Sequence, residues 1–265
     1  MVPALSNSAP FSNTKPLPAL IFLLIAALSL PLLGACSNDT EQTGADAGNS
    51  RYVEGKPTRL GIGKVYMGRQ IAYVMSHEGA GWLERGSREY EERTDLLINN
   101  LPIEPDDTVV DMGAGSGYFS RRMALMVPDG EVLAVDIQQE MLDKLMTHAN
   151  AVDLNNIRPV LATETDPNLP ANAVDLVLLV DAYHEFSYPY EVMSAIYNSL
   201  KTGGKVVLIE YRAEDPDVPI HPAHKMTQEQ SIKEMEAVGL QWVETLDILP
   251  RQHFMVFERP AEVAP

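Results

Sequence analysis

A single cysteine, Cys36, leaves no partner for a disulfide within the chain. Basic residues are also scarce: 20 Lys and Arg stand against 37 Asp and Glu, for a net charge of −17. A surface of that sign disfavours nucleic acid and anionic lipid head groups as partners, although solubility is the plainer reason for the charge. The apolar run from Ala19 to Ala35 is shorter than the roughly 20 residues a spanning helix needs, and Pro31 interrupts it. What remains is a chain of 265 residues with an ordinary 45% hydrophobic content, enough for one large α/β domain plus extra segments.

The stretch from Val109 to Ser120 organises that domain. Val109 and Val110 open it as a β-branched pair, and Tyr118 to Met126 close it as an amphipathic helical run. Between them Gly113, Gly115 and Gly117 occupy alternate positions. A strand turning into a helix through such a loop lets a ligand approach backbone that Cβ atoms would otherwise cover, and it aims helix N-terminal amides at that ligand. The dinucleotide pattern Gly-x-Gly-x-x-Gly is not met, because the third glycine comes one residue early and Tyr118 takes its place. Asp111, two positions before the first glycine, suits a ligand with a cationic ammonium better than a pyrophosphate.

With these residues the stretch resembles motif I of the class I S-adenosylmethionine (SAM) dependent methyltransferases, and the resemblance runs over roughly Leu96 to Phe257. It implies a Rossmann-like doubly wound α/β sheet of seven strands, the last one antiparallel, with SAM as cofactor. Val132 to Asp136 is similar to the second strand, which would place Asp136 on the ribose hydroxyls and Ile137 on the adenine face. An acid there also serves as a cap for the next helix, expected from Gln138 to Asn150. The family usually carries an acid five residues before the proline of a Leu-Pro pair. Here that count from Pro170 falls on Thr165, so the neighbouring Glu164 is assigned to the adenine amino group. The cofactor set is therefore Asp111, Gly113, Gly115, Gly117, Asp136, Ile137 and Glu164.

Asp175 to Val180 reads as the fourth strand and ends in Asp181-Ala182-Tyr183-His184-Glu185-Phe186, a polar and aromatic cluster where an α/β sheet opens its ligand crevice. In the family this position faces the transferring methyl. Methyl transfer chiefly needs alignment and exclusion of water, and a base is needed only when the acceptor loses a proton. His184 is the candidate base, with Tyr183 or Asp181 orienting the acceptor; a hydrogen-bonded structural histidine is the other reading. His221 and His224 form a His-x-x-His pair, but Pro222 breaks the helix that would align them and no third ligand is evident, so no metal is expected. Thr227 is a predicted helix cap. Gln241 to Ile248 and His253 to Glu258 are the expected closing strands.

Upstream, Lys15, the apolar run and Leu33-Gly34-Ala35-Cys36 have the layout of a secretory signal, and the last four resemble the lipobox of bacterial lipoproteins. That resemblance implies a signal peptide at 1–35, lipid on Cys36 and a flexible tether over 36–57. Lid helices over 58–100 and a methyltransferase domain over 101–260 follow. Removing the first 35 residues leaves 19 basic against 37 acidic residues. In the lid, residues 71–75 predict a short helix or strand, and a helix from Ser87 carries charges spaced for ion pairs, with His77, Trp82, Arg85 and Arg88 as pocket candidates. The expected protein is an envelope lipoprotein facing the periplasm, or a cytoplasm-facing anchored one, that methylates a small or lipid-like acceptor. A SAM- or nucleoside-binding module without catalysis is the alternative.

Overall fold

A computed structural model describes residues 51–261. The expected signal peptide, Cys36 and the tether up to residue 50 lie outside the described residues. Three short strands come first, β1 (Tyr52–Glu54), β2 (Lys64–Tyr66) and β3 (Arg69–Gln70), paired antiparallel in that order. Residues 52–54, expected inside the tether, are thus sheet. Distant side chains hold them: the Tyr52 ring lies 5.4 Å from that of Tyr66, and the Lys64 ammonium sits 3.6 Å over the Tyr188 ring.

Residues 71–76 have no regular structure, where a short helix or strand was predicted. A 3-10 turn (His77–Gly79) leads to α1 (Ala80–Leu83), α2 (Arg88–Glu92) and α3 (Thr94–Asn99). The single helix expected from Ser87 is broken at Arg93, whose φ of 52° is uncommon for a side-chain-bearing residue. Within α2 the ion pair between Arg88 and Glu92, at 2.9 Å, is buried, with side chains 4% and 1% exposed, so these charges do not form a solvated face.

The main sheet and its helices follow: β4 (Thr108–Met112), α4 (Tyr118–Ala124), β5 (Glu131–Asp136), α5 (Gln139–Asn150), β6 (Ile157–Leu161), β7 (Val174–Val180), α6 (Pro189–Ser199), β8 (Leu200–Tyr211), α7 (Gln228–Glu236), β9 (Gln241–Leu246) and β10 (Gln252–Glu258). Strand order is β6-β5-β4-β7-β8-β10-β9. Only β10 runs against its neighbours, as the family resemblance implies. The inner strands are apolar on both faces because helices cover both sides. Val109, Leu178 and Ile209 point into one core layer; Val110, Leu179 and Leu208 point into the other. Thr227 caps α7, its hydroxyl accepting from the Gln230 amide at 3.1 Å.

The chain leaves β4 toward β5 and β6 on one side, then returns to lay β7 on the other. The carboxyl ends of β4 and β7 are therefore the switch point at which an open α/β sheet forms its crevice.

Candidate functional site

A cavity of about 560 Å³ opens at that switch point. Gly113, Gly115, Asp136, Ile137 and Glu164 line one part of it, and Asp181, His184 and Glu185 line another. The backbone explains two of the glycines. A Cβ on Gly113, at φ 77°, would come within 2.7 Å of the Ala182 Cβ, and one on Gly115, at φ 54°, within 2.6 Å of Leu83. Gly117 and Asp111 do not reach the cavity. Gly117 abuts Leu145 of α5, while Asp111 is 3% exposed and accepts from the Ser120 hydroxyl at 2.5 Å. Burial pushes the Asp111 carboxyl up to about 6.

Asp136 is fixed by two backbone amides: Gly115 donates to Oδ2 and Gln138 to Oδ1, each at 2.9 Å. It thus braces both the glycine loop and the entry to α5 while lining the cavity. Burial raises its pKa despite these donors. The Gln138 side chain in turn holds the segment above, accepting from the His77 amide at 2.8 Å and donating to the Met75 carbonyl at 2.9 Å. Tyr73, Val74 and Met75 thereby become cavity wall, with Trp82 and Arg88. His77 and Arg85, the other two pocket candidates of this segment, are not part of that wall; Arg85 lies on the Trp82 ring at 3.8 Å.

At the far end three expected residues part company. Tyr183 is fully buried away from the cavity, and its hydroxyl donates to Glu234 at 2.7 Å. Asp181 lines the cavity in left-handed backbone at φ 50°. Its Oδ2 accepts from Gln252 at 3.0 Å, and its buried Oδ1 meets no donor among the described residues. Burial, then the nearby Glu92 and Glu210 carboxylates, raise its pKa well above the ordinary range. His184 is 2% exposed, with Nδ1 2.6 Å from Glu210 Oε2 and Nε2 2.9 Å from His224 Nδ1.

One member of this cluster, Glu210, escaped the sequence, and another, His224, was read there only beside His221. Glu210 ends the apolar run Val206 to Ile209, and an acid at the end of a buried strand was the available signal. The His224 ring meets His221 edge-on but hydrogen-bonds to His184, 40 residues away, a partner that spacing along the chain did not reveal.

The pocket fits SAM on this chain's own geometry: a backbone cradle that a Cβ would fill, a braced carboxylate beside it and a buried acceptor atom on Asp181. A family profile described as a methyltransferase domain matches residues 109–204. The chain is 30% identical over 145 residues to the uncharacterized methyltransferase YdaC of Bacillus subtilis (strain 168), covering 54% of this chain and 77% of that protein. It belongs to the SAM-dependent methyltransferases. Among this methyltransferase's other relatives is the ubiquinone/menaquinone biosynthesis C-methyltransferase UbiE of Wigglesworthia glossinidia brevipalpis, 26% identical over 118 residues, 44% of this chain and 47% of that one. The chain spans about half the length of several curated relatives it matches. In fold, the methyltransferase is similar to a SAM dependent methyltransferase from Aquifex aeolicus, with a TM-score of 0.66 at 20% identity over 69% of this chain and 98% of that one.

Proposed function

We propose that this methyltransferase moves a methyl group from SAM to a small, largely apolar acceptor. The observation that carries the reading is that one cavity joins Asp136 and the glycine cradle to His184 and Phe186, so cofactor and acceptor would share one space. Its volume of about 560 Å³ lies within the usual range for ligand sites, roughly 300–1,000 Å³.

When bound, SAM supplies an electrophilic methyl on a sulfonium centre. Asp136 would accept from the ribose hydroxyls through the lone pairs its backbone donors leave, Ile137 would cover the adenine, and Glu164 would accept from the adenine amino group. Asp181, on the cavity wall after β7, would receive the ammonium of the amino-acid end. Asp111 would then act beneath the loop, through Ser120. The acceptor would enter past Tyr73, Val74 and Trp82, each 43–45% exposed and all on the cavity wall. That apolar rim favours a ring or chain over a charged acceptor, in keeping with the quinone-type pathway in the name of the UbiE relative. A proton leaving the acceptor would pass to the imidazole pair of His184 and His224, backed by Glu210.

Titrating SAM into the full chain by calorimetry, beside Asp136→Ala, and then assaying methyl release tests this. Saturable binding that weakens in the variant, with turnover on an apolar phenol or quinol, is the expected result. Saturable binding with no release on any acceptor would make the protein a binding module instead.

Leu33 to Cys36 supports a lipid anchor that would hold the domain at a membrane surface, close to apolar acceptors. Among the described residues no helix is long and apolar enough to cross a membrane. Labelling with a tagged fatty acid should mark the wild-type chain and spare Cys36→Ala; equal labelling of both removes the anchor.

A further inference from the structure

The cluster at the acceptor end of the cavity has more order than proton transfer requires. His184 Nε2, His224 Nδ1 and Glu185 Oε1 face one another at 2.9, 3.6 and 3.9 Å. A tetrahedral ion with bonds of about 2.0–2.1 Å holds its ligand atoms roughly 3.3 Å apart, so these three separations bracket the edges of such a site. All three residues line the cavity, and among the described residues they form the one group of three such donors.

Each inner donor is already aimed by a second partner. Glu210, completely buried, takes His184 Nδ1 at 2.6 Å on one oxygen and the His184 backbone amide at 3.2 Å on the other. That fixes the tautomer with the proton on Nδ1 and turns the Nε2 lone pair toward His224 and Glu185. A carboxylate behind a ligating histidine is the usual outer layer of such a centre. Glu185 is held likewise: its Oε2 accepts from the Met75 amide at 3.0 Å, leaving Oε1 for the cluster. His224 comes from a separate 3-10 turn (Pro222–His224) whose geometry brings its ring edge-on to His184, centroids 5.0 Å apart. Glu185 and Glu210 also bring two carboxyl groups into a mostly buried cluster, which a divalent cation would compensate.

We propose that His184 Nε2, His224 Nδ1 and Glu185 Oε1 bind a zinc-class divalent cation with a further position open to the cavity. Two imidazoles and one carboxylate suit zinc or cobalt; calcium and magnesium prefer more oxygen ligands. The binding site stands on this geometry alone, and only its chemical use rests on the methyl-transfer reading. A cation there would lower the pKa of an acceptor hydroxyl or thiol reaching the open position, and the Nε2 lone pair of His184 would then serve as ligand instead of base.

The test uses the full chain, stripped with a chelator and titrated with Co2+, read by its visible absorption and followed by Zn2+ competition. A tetrahedral-type cobalt spectrum that saturates at one ion per chain and is displaced by Zn2+ is expected. Glu210→Gln should weaken binding by about 10–100-fold, and His224→Ala and Glu185→Gln by at least that much. Thermal melts report whether each variant folds, and should His224→Ala unfold, Glu185→Gln decides. No cobalt spectrum, or a spectrum unchanged in the ligand variants, overturns the site. SAM titrated in parallel separates the two readings: cobalt binding without SAM binding leaves the metal site standing and sinks methyl transfer, whereas the reverse sinks only the metal.

Discussion

The backbone amide of Gly115 donates to Asp136 Oδ2 across 2.9 Å, joining the loop after β4 to the end of β5. One carboxylate thus shapes the cradle and also lines it, so changing Asp136 disturbs ligand affinity and loop geometry together. Asp136→Asn keeps the shape but offers one carbonyl to two backbone donors. Charge-assisted hydrogen bonds are worth about 1.5–3 kcal/mol, so SAM affinity should fall roughly ten- to hundredfold, with a smaller drop in melting temperature. Calorimetry and a thermal melt on the same sample check this, and unchanged affinity would remove Asp136 from the cofactor site.

The glycine loop makes a paired prediction. Gly113→Ala places a methyl 2.7 Å from the Ala182 Cβ at φ 77°, so it should cost about 1–3 kcal/mol and abolish SAM binding. Gly81→Ala, inside α1 with open space around it, should be neutral or stabilise by about 0.5–1 kcal/mol. Urea midpoints of the two variants should move in opposite directions or differ by at least that margin.

Asp111 gives a pH dependence with a definite sign. Its folded pKa of about 6 lies above the ordinary value of 3.8, so the folded state binds the extra proton between those limits. Stability therefore falls as pH rises from about 4 to about 6, by roughly 3 kcal/mol for a shift of about two units. Asp111→Asn should flatten that part of the curve. Urea unfolding at several pH values across this window decides it; an unchanged slope would assign the effect elsewhere.

A buried fork ties the small N-terminal sheet to α7. Arg69 donates twice to Glu234, Nε to Oε1 and Nη2 to Oε2, each at 2.8 Å, and Glu234 is completely buried. Arg69→Met leaves that carboxylate without its cation and should cost about 3–5 kcal/mol. Arg69→Lys should recover only part, because an ammonium cannot reproduce the two-pronged contact. Chemical denaturation of the three proteins checks the order.

Much of this protein was legible in the chain because its signals are local. Val109 to Gly117, Val132 to Asp136 and Asp175 to Val180 carry their own period, turn chemistry or terminal acid, so the seven-stranded sheet with its reversed last strand followed from the family they resemble. Asp136, Gly113 and Gly115 were placed on the cavity for the same reason.

What only the tertiary structure decided depends on which side chains meet. Nothing near Tyr183 in sequence announces Glu234, 51 residues on, or that Asp111 turns to Ser120 beneath the loop. The break at Arg93 and the strand at Tyr52–Glu54 are set by contacts with distant elements, which outweigh local propensity. The grouping of His184, Glu185, Glu210 and His224 is of the same kind. Three elements deliver it, and burial and charge act on distance in space, which residue spacing along a chain does not encode.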